Sequence, residues 1–196
     1  MSHIGITYLH LTGALALTAV SSETPVSIPG VTLIAAILTF VLIFLLGSAR
    51  SGPYKYFLFA LFSIAIGQVI SPSVKSLEAS GQLREVLASV AGIFLAMTVV
   101  GFVDKQNFLG FGGYLMAALI GLIIARLFLM VAKLGDPKSD ITKASTFLNW
   151  VGTGIFAIFV AYDTQQLKER RYKDYVDASL GLFLDIINLF TLQSDS

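Results

Sequence analysis

Apolar residues run along this chain in seven long stretches separated by short polar breaks, at about 4–22, 30–48, 54–71, 84–103, 109–132, 146–167 and 175–193. A helix needs roughly 20 mostly apolar residues to cross the hydrocarbon of a bilayer, so each stretch predicts a spanning helix. The breaks carry the residues that end helices. Pro25 and Pro29 separate the first pair, Gly52 and Pro53 the second, and Pro72 is expected to close the third. The 133–140 loop holds Asp136 and Pro137, and a basic turn, Lys168 to Lys173, joins the last two stretches. The first stretch is the most polar, with His3, His10 and several threonines. The last is short, and a re-entrant or wholly protein-buried helix there, giving six spans and one irregular segment, is the alternative count.

Composition agrees with the pattern. Of the 196 residues 56% are hydrophobic and 13% charged, where soluble domains carry about 25% charged residues. Mean hydropathy is +0.81. The expected class is an all-α integral membrane protein, a seven-transmembrane-helix bundle formed as a single domain over 1–196, with the lipid bilayer as its main partner. A net charge of +1 offers nothing to nucleic acid, and the absence of cysteine excludes disulfides and thiolate metal sites. No Lys or Arg precedes the first apolar run and no small-residue cleavage site follows it, so it reads as a retained helix.

Lysine and arginine set the orientation. The even-numbered loops hold seven, among them Arg50, Lys55, Lys105 and the Lys168–Lys173 cluster, and the odd-numbered loops hold five. This places the 168–173 turn and the N-terminus in the cytosol and the C-terminus outside. Small residues recur every fourth position at Ala88, Gly92 and Ala96, and again at Gly113, Ala117, Gly121 and Ala125. Such spacing lets membrane helices approach closely. Internal seams are expected in preference to a dimer face, and a monomer in preference to an oligomer.

Two acids fall inside the last two stretches, Asp163 and Asp185. A lone acid in hydrocarbon costs several kcal/mol, so it is normally paired, turned inward and functional. Helical rise puts Asp163 about 8 Å inside the edge marked by Lys168 and Asp185 nearer the bilayer middle, about 8 Å apart in depth. They meet if the helices tilt or the seventh starts irregularly, and the expectation is that they do. Two carboxyls in contact in a low dielectric share a proton and titrate as a unit. Such a pair senses pH, binds a cation transiently or activates water; its structural alternative is a protonated pair that joins two helices.

Asn188 lies one turn beyond Asp185 and Gln166 one turn beyond Asp163, so both could offer neutral oxygens. The set is too small to store calcium, which prefers 6–8 oxygens, but conduction needs a weak site. Arg50 ends the second stretch near the depth of Asp163, as a pairing partner or an ordinary cytosolic anchor. Arg126, roughly 10 Å before Lys133, either snorkels or neutralises Asp104, Asp163 or Asp185. His3 and His10 read as interfacial polar residues. The remaining acids at helix ends and in loops, Asp174 and Asp177 among them, are expected to be solvated.

The segments TyrAspThrGlnGln at 162–166, AspTyr at 174–175 and LeuPheLeuAspIleIleAsnLeuPhe at 182–190 resemble the sixth- and last-helix motifs of the transmembrane Bax-inhibitor-motif family. Gly67 to Pro72 and SerValAlaGlyIlePhe at 89–94 add weaker similarity. The resemblance implies seven helices with the last at the centre, and a pH-sensitive calcium leak gated by a di-aspartyl unit. By motif that unit is Asp163 and Asp185. It also implies an arginine latch from the second helix onto the sixth-helix acid, the place Arg50 occupies. Calcium is then the permeating ion and the proton the regulator, with no cofactor tightly bound. The membrane is the plasma (inner) membrane in a bacterium, and the endoplasmic reticulum or Golgi in a eukaryote.

Two rivals share the residues. A non-conducting regulator that binds other membrane proteins, cell-death regulators in a eukaryotic host, is allowed by the resemblance. An intramembrane aspartyl protease would use the two acids on water, but those enzymes resemble one another in a Gly-x-Gly-Asp motif, and LeuPheLeu precedes Asp185 here. A non-enzyme is the expected class.

Overall fold

The computed structural model describes residues 2–103 and 107–195. Seven helices in it are long and apolar enough to cross a membrane: α1 (His3–Glu23), α2 (Val31–Ser48), α3 (Pro53–Ser80), α4 (Leu83–Val103), α5 (Gly112–Gly135), α6 (Thr142–Lys168) and α7 (Tyr175–Ser194). A 3-10 turn, Phe108–Phe111, leads into α5, and no strand occurs among the described residues. The chain is an all-α integral membrane protein. Large apolar side chains point outward, with Phe40 67%, Phe128 72% and Trp150 72% exposed, which water would penalise and lipid does not. The most buried span is α7.

The helices fall into two compact units. One comprises the residues up to Arg84 with Leu167–Leu184; the other comprises Glu85–Gln166 with the residues from Asp185 onward. Lys105, one of the loop cations, and Asp104, a candidate partner of Arg126, lie outside the described residues.

In the first unit, the polarity of α1 is what joins it to α3. The Thr18 hydroxyl donates to the Ser63 carbonyl at 2.9 Å and Ser21 to that of Ile64 at 2.7 Å. From α3, the Gln68 side-chain amide donates to the Ser21 carbonyl at 2.6 Å, and Ser71 donates to the Ser22 carbonyl at 2.7 Å. Such bonds join helices where hydrocarbon gives no hydrophobic drive. Gly67 makes them reachable, since a β-carbon there would lie 2.5 Å from the Thr18 carbonyl oxygen.

Two expectations change. Pro72 does not close the third helix; α3 runs on to Ser80 and stops at Gly81, whose φ of 75° and amide bond to Glu78 make a left-handed cap. Proline removes one bond, to the carbonyl four residues back, but the turns beyond it bury Val74 and Leu77, and that packing sustains the helix. Nor do the small-residue stripes form internal seams. Ala88, Gly92, Ala96, Gly113, Ala117 and Gly121 are exposed, and a β-carbon on Gly92, Gly113 or Gly121 would meet nothing within 4 Å. Close approach falls instead on single glycines with bulky neighbours: Gly67, Gly101, Gly112 and Gly152.

Lys55, Asp174 and Asp177 are also not solvated charges. Lys55 is 2% exposed, and its Nζ lies 2.9 Å from Asp174 Oδ2 and 2.6 Å from Asp177 Oδ1. Ser51 donates to the same Asp174 oxygen. The other, Oδ1, accepts the Asp177 N–H at 2.9 Å, so Asp174 is the N-cap of α7. Beside this cluster His10 stacks on Tyr56 and Tyr175, and His3 lies against Tyr175. Burial alone pushes the Asp174 carboxyl up, but hydrogen bonds from Ser51, Lys55 and the Asp177 amide, with the Lys55 charge, outweigh it and hold the group below its ordinary 3.8. A depressed carboxyl stabilises the fold above the unfolded value and loses that stabilisation as pH falls through the folded one. The melting temperature of the purified protein is therefore expected to drop below about pH 4. Asp174→Asn, which keeps a capping side chain, should show a smaller acid-induced drop in thermal unfolding followed by circular dichroism.

Candidate functional site

Asp163, on α6, and Asp185, on α7, both belong to the second unit. They are 8% and 3% exposed. Asp163 lies near enough to Asp185 for the two carboxyls to influence each other electrostatically. Gln166, one turn on, donates from Nε2 to Asp163 Oδ1 at 3.2 Å. Asp185 Oδ2 is buried with no hydrogen-bond partner among the described residues. Asn188 is half-buried one turn further along α7.

The end of α6 that bears Asp163 is held on two sides. Gln165, which the residue pattern did not single out, is buried, and its Oε1 accepts the Leu109 amide at 3.3 Å. Tyr162 packs on Gly112, where a β-carbon would lie 2.7 Å from its hydroxyl. On α4, Gly101 meets the Ala161 carbonyl and the Thr164 side chain at 2.6 and 2.8 Å from an added β-carbon. Only glycine admits that approach, and it fixes the α6 turn carrying the acid. Of these supports the glycines carried a signal in the sequence, Gly101 and Gly112 each standing in an otherwise apolar stretch.

Among the described residues the Arg126 guanidinium donates to Asn149 Oδ1 and lies 4.0 Å from the Asp195 carboxylate. Asn149 is 2% exposed and donates in turn to the Asp195 carbonyl at 2.9 Å. This chain of bonds satisfies a cation within a span, where an unpaired one is costly. Arg50, exposed beyond the end of α2, belongs to the first unit and Asp163 to the second.

Chemically, two buried carboxyls that act on each other, one with a free oxygen, can hold a shared proton or a cation. A family model described as "Inhibitor of apoptosis-promoting Bax1" matches residues 1–192. The inner membrane protein YbhL of Escherichia coli K12 is 31% identical over 148 residues, 69% of this chain and 59% of that protein. A BI1-like protein of Arabidopsis thaliana is 29% identical over 166 residues, 83% of this chain and 62% of the relative. Bax inhibitor 1 of Schizosaccharomyces pombe is 29% identical over 151 residues, 76% and 54%. The chain thus spans less than two thirds of the length of each of these relatives.

Proposed function

This chain belongs to the family of inhibitors of apoptosis-promoting Bax1, and from that premise we propose that it is a pH-sensitive calcium leak gated by Asp163 and Asp185. The observation that carries the reading is the buried pair itself, with Oδ2 of Asp185 unpartnered. Buried carboxyls that influence each other resist joint ionisation in a low dielectric, so a proton or a cation relieves them. Protonation neutralises the pair and weakens its pull on calcium. Ionisation restores that pull. Two carboxylates with Gln166 and Asn188 fall short of the 6–8 oxygens of a storage site, and a leak needs an ion to leave as readily as it enters.

The test is calcium flux into liposomes holding the purified protein, stepped across pH. Wild type is expected to change rate with pH. Asp163→Asn and Asp185→Asn should each lose that dependence and fall by about tenfold or more, because a bond to a charged group is worth roughly 1.5–3 kcal/mol. Flux unchanged in both variants at every pH removes the proposal.

A further inference from the structure

Among the described residues of the second unit, three buried oxygens lack a hydrogen-bond partner: the hydroxyls of Thr98 and Thr164, and Oδ2 of Asp185. Buried polar atoms are paired in the great majority of cases, and an exception points to a water or an ion. The threonines are the more telling, because a helical threonine has a partner at hand in the carbonyl four residues back. Thr7, Thr12, Thr18 and Thr191 all use it, at 2.8–3.2 Å. Thr98 and Thr164 forgo it.

Their placement is specific. Thr164 follows Asp163 directly on α6 and is 0% exposed. Its β-carbon would lie 2.8 Å from one built on Gly101 of α4. Thr98 precedes Gly101 by three residues, so it shares that face of α4. The two hydroxyls therefore belong to one α4–α6 seam, at the end of α6 that bears Asp163.

We propose that Thr164 and Thr98 supply neutral oxygens to the cation that passes the Asp163–Asp185 pair. The inference rests on the leak reading and deepens it by naming the uncharged ligands of that site. Hydroxyl and carboxylate oxygens together suit a hard cation, and neutral oxygens replace part of its water shell without holding it as tightly as a third acid.

Thr164→Val, Thr98→Val and the double variant test it, with Thr164→Ser as the conservative control. Calcium flux into liposomes and thermal unfolding are read on each. Valine keeps the branched shape and drops only a hydroxyl that bonds to nothing in the fold. The expected result is a melting temperature unchanged or raised in all variants, calcium flux down about five- to tenfold in the double valine variant, and flux kept in Thr164→Ser. Valine variants at the wild-type rate, in a protein that Asp185→Asn silences, overturn this inference alone. Valine variants that melt early show the hydroxyls to be structural and overturn it too. A wild type that passes no calcium overturns the leak reading and this inference with it.

Discussion

Lys55→Met is expected to destabilise the protein by about 3–5 kcal/mol, the usual cost of removing one partner from a buried ion pair. Lys55 is 2% exposed and faces two carboxylates. Without it Asp174 and Asp177 stand as adjacent, partly buried like charges at the first turn of α7. The amide dipoles of that turn favour negative charge, but by only about 0.3–1 kcal/mol. The triple variant Lys55→Met, Asp174→Asn, Asp177→Asn should recover most of the loss, because asparagine still caps the helix and no charge is left unpaired. Equilibrium unfolding in detergent measures both. A triple variant as unstable as the single one rejects the electrostatic account and leaves only lost packing of the lysine stem.

Gly101→Val should lower stability by about 1–3 kcal/mol through overpacking, and Gly101→Ala by less. Any β-carbon there meets the Ala161 backbone carbonyl at 2.6 Å, an atom that moves only if α4 and α6 separate. Gly92→Ala on the same helix is the control. Nothing lies within 4 Å of its added carbon, and alanine in place of glycine inside a helix gains roughly 0.5–1 kcal/mol. Opposite signs at the two positions, read in the same unfolding assay, are the expected result. Equal effects would mean that the α4–α6 contact is not tight.

The spans were legible in the sequence because a bilayer imposes length and apolarity on each helix separately, and both are local properties. Pro72 misled for the same reason: its local cost is real, but the burial of Val74 and Leu77 is tertiary. Lys55 stands two residues after Pro53, where the pattern predicts a loop charge, and nothing local reveals that α7 brings two acids to it. The small-residue stripes show the converse, a regular spacing with no neighbour to use it. For the candidate site, the two acids stood out by residue type alone. Their supports did not, since Gln165, Thr98 and Thr164 look like ordinary polar residues until their partners, or the lack of them, are seen.

The length of α3 has a bearing on where such a protein can work. Its 28 residues amount to about 42 Å at 1.5 Å per residue, against roughly 30 Å of hydrocarbon. Lys75 and Glu78 near its far end are exposed, so a thicker membrane is met by drawing on turns already held in reserve. At 20 residues, α7 reaches about 30 Å and holds none. Hydrophobic mismatch, at fractions of a kcal/mol per Å, thus falls on the short helices, the 18-residue α2 and the α7 that carries Asp185, which makes the lipid environment itself a load on the acid-bearing span.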